Sequence, residues 1–145
     1  MIRAVIDVNL LVRSVLSPGG GSGRILVWLK QVRFVPLTCR EHLDELHRVL
    51  GYPRIVHRYH VTRRQRRRIL AQVYAWSAWV NLLGALALCR DPNDDYLIEL
   101  AILGQATHLV TEDRDTREDR AIIQLLAGEN ITVCGIGEFI QALGE

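Results

Sequence analysis

Short apolar runs that stop at an acid constrain this chain more than any other feature. Ile2 to Ile6 reads as a strand of the kind buried on both faces of a parallel sheet, and Asp7 stands at its carboxyl end. Thr107 to Val110 repeats the pattern and runs into Thr111-Glu112-Asp113-Arg114-Asp115. Further strands are expected at Arg33 to Leu37, Leu86 to Cys89 and Ile131 to Val133.

Helical patterns fill the intervals. They run from about Leu10 to Leu16, Gly23 to Gln31, Cys39 to Leu50, Arg63 to the Trp79 region, Asp94 to Leu103, Thr116 to Leu126 and Ile136 to Leu143. Ser22, Thr38 and Thr62 are the expected N-caps of the second, third and fourth. Leu43, Leu46 and Leu50 share one helix face. Strands alternating with helices imply an α/β class: one domain over residues 1–145, an α/β/α sandwich with a central parallel sheet. In such sheets ligands bind beyond the carboxyl ends of the strands, where Asp7 and Asp113 fall.

Composition narrows the partners. Hydrophobic residues make up 49% of the chain and charged residues 23%, so a buried core is expected rather than a disordered or fibrous chain. Of 18 basic residues only Lys30 is not arginine, and the arginine fork suits phosphate. Cys39, Cys89 and Cys134 are odd in number and widely spaced, which excludes a disulfide framework or zinc ribbon and fits reduced thiols in the cytoplasm. The apolar stretch from Val73 to Cys89 is too short and too interrupted to span a membrane.

Four segments carry the chemistry: Asp7-Val8-Asn9, Leu43-Asp44-Glu45-Leu46, Asp91-Pro92-Asn93-Asp94-Asp95 and Leu109 to Asp115. In this order and spacing they resemble the PIN-domain nucleases, in particular the toxins of toxin–antitoxin systems related to VapC. The resemblance implies an acidic pocket holding Mg²⁺ or Mn²⁺ and metal-assisted hydrolysis of RNA phosphodiesters. Carried over by position, Asp7, Glu45, Asp94 and Asp113 are its catalytic, metal-ligating acids, with Asp95 an alternative to Asp94 by one residue. Asn9, Thr111 and Asp115 become supporting groups around them.

An all-oxygen cluster suits either ion, which can activate water and offset phosphate charge without a protein nucleophile. Where the family carries a hydroxyl residue between the first acid and Asn9, this chain has Val8, which points to lower activity. The resemblance also implies an antitoxin partner and a homodimer, with Trp76 and Trp79 as interface or core residues.

Arg63, Arg64, Arg66, Arg67 and Arg68 form the densest charge run, an RNA-binding surface or a solvated helix start. The glycines from Gly19 to Gly23 lack the lysine of a phosphate loop and read as a turn. The five histidines show no zinc spacing. Two other functions fit some of the residues: a catalytically weak RNA- or antitoxin-binding module, and a haloacid-dehalogenase-type phosphatase. The phosphatase needs a second acid where Asn9 stands.

Overall fold

The computed structural model describes residues 1–17, 19, 23–84 and 95–144. At its centre lies β1 (Arg3–Ile6), flanked by β2 (Val35–Thr38) and β4 (His108–Val110), with β3 (Ala78–Trp79) and β5 (Thr132–Cys134) outside them. The order is β3-β2-β1-β4-β5 and every pairing is parallel. Ala4 pairs with Pro36 on one side and His108 on the other, so β1 is hydrogen-bonded along both edges.

Alternation along β1 divides the core. Ala4 and Ile6 point into one apolar cluster with α1 (Val8–Leu16), α2 (Gly23–Lys30), α3 (Arg40–Leu50), α5 (Arg63–Trp76) and α9 (Ile136–Ala142). Val5 points into the other, with α6 (Asp95–Leu103) and α8 (Arg120–Gly128). Successive strand residues face opposite sides, so an apolar run can feed both layers of an α/β/α sandwich. Each fully buried Leu, Ile or Phe contributes roughly 1.5–3 kcal/mol. Gly104 lets the chain after α6 approach β2 closely, since a Cβ there would lie 2.8 Å from Leu37 Cδ1.

Several boundaries differ from expectation. Thr38 does not cap α3. It is the last residue of β2, and its hydroxyl bonds His42, leaving Cys39 as the N-cap. Thr62 does cap α5, through a capping box with Gln65, but the helix stops at Trp76. Ser77 turns extended, and Ala78 and Trp79 pair with Leu37 and Thr38 as β3. The single helix expected from Thr116 to Leu126 is two, α7 (Arg114–Arg117) and α8, because Asp119 accepts the N–H of Ile122 and caps a new start. A further helix, α4 (Pro53–Tyr59), begins with proline at its first turn. Ser22, the strand expected at Leu86 to Cys89, and Asp94 lie outside the described residues. Among the described residues no helix is long and apolar enough to cross a membrane.

Candidate active site

Asp7 follows β1 directly. Its N–H donates to the Val110 carbonyl at 2.9 Å, and its side chain then turns to cap α1, accepting the Asn9 N–H on Oδ1 at 3.2 Å. The other oxygen, Oδ2, accepts the Thr111 hydroxyl at 2.7 Å. Thr111 is buried just past β4, held by its N–H on the Cys134 carbonyl, and its Oγ1 also accepts the N–H of Asp113 at 3.0 Å. One hydroxyl therefore joins the two sheet-edge acids. Asp113 caps α7, accepting from the Asp115 N–H and the Thr116 hydroxyl.

Glu45 reaches the same place from α3. Its carboxylate accepts the phenol hydroxyl of Tyr96, on the first turn of α6. Burial raises the Tyr96 pKa, and the neighbouring Glu45 charge raises it further, so the phenol stays a neutral donor. Behind them His42 is fully enclosed. Its Nε2 faces the Ile6 carbonyl at 2.8 Å, which only accepts, so Nε2 carries the proton and Nδ1 accepts from the Thr38 hydroxyl at 2.8 Å. Burial holds this imidazole below its ordinary pKa, and the neutral ring ties α3 to the end of β1.

The result is an open cavity of about 460 Å³ lined by Asp7, Asn9, Glu45, Asp113 and Asp115 together with Leu10, Arg13 and Glu112. Glu112 is occupied by Arg117 at 3.0 Å and the Ile136 N–H at 2.7 Å. Neither Asp7 nor Asp113 forms an ion pair among the described residues. Asp95 is buried at the start of α6 but is not part of the lining. Asn9 bonds Asp7 through its backbone, while its side chain is exposed at the cavity. Val8 is buried in the apolar core beneath α1. None of Arg63, Arg64, Arg66, Arg67 or Arg68 lines the cavity.

The donors fit a hard divalent cation, being carboxylate oxygens with lone pairs left over and no arginine on Asp7 or Asp113. Among the described residues no three His, Cys, Asp or Glu side chains stand close enough to enclose a metal by themselves. Sequence patterns missed Tyr96 and His42, whose partners are distant in the chain. They also passed over Glu99, which accepts the N–H groups of Leu83 and Gly84.

A parallel α/β sheet that gathers carboxylates at its carboxyl edge has the donors for metal-dependent phosphate chemistry. A family model described as PIN domain matches residues 3–115, and the chain belongs to the PIN-domain family. PIN domains are in general nucleases that work with divalent metal ions. No curated protein and no solved structure matches the chain.

Proposed function

We propose that residues 1–145 form one endoribonuclease domain that hydrolyses RNA phosphodiesters with Mg²⁺ or Mn²⁺. The observation that carries this reading is the Asp7–Thr111–Asp113 link, which leaves two carboxylates without ion pairs on one open cavity. Asp7, Glu45 and Asp113 would hold the ion, with Asp94, which lies outside the described residues, or Asp95, the first residue of α6. Asn9, Thr111 and Asp115 support them. Bound there, the ion supplies the positive charge that acidifies water and offsets charge on the phosphate.

The chain's own residues do the remaining work. Thr111 fixes the Asp7 carboxylate, Tyr96 fixes Glu45, and the cap on α7 fixes Asp113. Among the described residues, burial pushes the Cys39 and Cys134 thiols up to about 12 and keeps both protonated, so neither is suited to attack. In this reading the ion-activated water is the nucleophile.

Incubating the purified chain with single-stranded RNA tests this directly. Cleavage should require Mg²⁺ or Mn²⁺, stop on chelation and vanish in Asp7→Asn, which keeps a capping oxygen and the fold. Intact RNA with both metals across varied sequences would refute it. We further assign the enzyme to the toxins of toxin–antitoxin pairs, as a cytoplasmic homodimer. Growth arrest on induction, relieved by Asp7→Asn, tests the toxin role, and light scattering tests the dimer.

The lack of a three-acid cluster among the described residues favours a second reading, a catalytically weak RNA- or antitoxin-binding module. Calorimetry with Mn²⁺ separates the two. Metal binding lost in Asp7→Asn supports the nuclease, and no binding supports the module.

A further inference from the structure

A second cavity, about 870 Å³, opens directly from the acidic one. Asn9, Leu10, Arg13 and Glu112 line both, so the two form one continuous depression. The larger part lies between α1 and α4. Its charge is of the opposite sign, contributed by Arg13 on α1 and by Arg54 and Arg58, four residues apart on one face of α4. All three are exposed, and none is ion-paired among the described residues.

Between the charges the surface is apolar. Val49 and Ile55 line it, and the half-buried Tyr59 ring stands at one side with the Arg58 guanidinium 5.3 Å from its centroid. His60 then leaves α4 in the left-handed conformation at φ 53°, ending the helix just beyond Tyr59. Arginines that track phosphates, beside an aromatic face for an unpaired base, make a single-strand platform. A duplex hides its base faces and gains nothing from Tyr59.

We infer that this groove holds the single strand on one side of the scissile phosphodiester. Arg13, Arg54 and Arg58 contact backbone phosphates and Tyr59 stacks on a base. The inference rests on the proposed nuclease reading for what lies at the acidic end, and it assigns a strand path that the arginine run of α5 does not supply. The groove is also of a size that encloses a short run of nucleotides, since pockets of roughly 300–1,000 Å³ enclose ligands of comparable bulk.

Binding measured without metal tests the groove separately from cleavage. Fluorescence anisotropy of the full chain with a labelled 12-nucleotide single-stranded RNA in EDTA reads affinity alone. The double variant Arg54→Glu/Arg58→Glu should weaken binding about tenfold or more, and make the dependence of log K on log salt shallower by about 1.4, the value for two lost phosphate contacts. Tyr59→Leu should cost about fivefold or more for single strands and leave duplex RNA unchanged. The control Arg64→Glu/Arg67→Glu should change affinity much less.

Unchanged binding in the α4 double variant overturns the inference. So does a loss found only in the α5 variant. If groove-dependent binding is present but no metal supports cleavage, the strand path stands and the nuclease reading falls. If cleavage proceeds in Arg54→Glu/Arg58→Glu with an unchanged KM, the reverse holds.

Discussion

Thr111 holds Asp7 by a 2.7 Å hydrogen bond from Oγ1 to Oδ2, and the same oxygen accepts the N–H of Asp113. The bond crosses from the end of β4 to the end of β1, so it fixes one acid relative to the other. Thr111→Val keeps the shape and removes both contacts. It should cost about 1.5–3 kcal/mol in urea unfolding, as expected for a hydrogen bond to a charged group. Mn²⁺ affinity by calorimetry should fall about 10–100-fold, the usual loss when a ligand's support is removed.

Tyr96→Phe tests the third support. The ring stays in place beside His42, 6.3 Å between centroids, while Glu45 loses its donor. Metal affinity should drop about 10–100-fold with an unchanged circular dichroism spectrum. Unaltered affinity would remove Glu45 from the set of ligands.

His42 makes stability depend on pH. Its folded pKa lies below the free value of 6.5 through burial, so under pH 6.5 the unfolded chain takes up a proton that the folded chain refuses. The stabilisation is complete above pH 6.5 and is lost as pH falls from there toward the lowered folded value. Half-buried His108 is shifted the same way by burial and adds to the slope. Urea midpoints should decline from pH 7 to 5, and His42→Gln should flatten that decline.

Cys39 and Cys134 should resist alkylation. With thiols raised to about 12 by burial, iodoacetamide at pH 8 should leave both unmodified in the native protein and label them after unfolding. Peptide mass spectrometry reads the outcome.

Thr62→Ala offers a change of stability away from the cavity. It removes the capping box of α5, in which Thr62 and Gln65 exchange bonds of 3.1 and 2.9 Å. Unfolding free energy should fall by about 1 kcal/mol. RNA cleavage at 25 °C should not change.

The sheet and its acidic edge were legible because both signals are local. An apolar run such as Ala4-Val5-Ile6 marks a doubly buried strand, and the acid after it marks the edge. The placement of Asp7 and Asp113 at that edge needed nothing more, while their role as ligands came from the family resemblance. Glu45 came from family resemblance alone, and its tie to Tyr96 spans 51 positions that no periodicity connects. The split of α7 from α8 was written in Asp119, but an apolar helical pattern overran it. Val8 drew attention as a missing hydroxyl, and only the fold shows that its side chain is buried in the core. The groove was not legible, because Arg13 comes onto one cavity with Arg54 and Arg58 only through the tertiary placement of α1 and α4.

The bond between Asp7 and Thr111 joins residues 104 positions apart. Thr111 follows directly on β4, so the bond forms only once that strand lies beside β1. Parallel pairing over such a separation closes late, since a long loop must be ordered first. Until β4 has paired with β1, Asp7 lacks the hydroxyl that holds it. The acidic edge is therefore assembled only when β4 lies beside β1.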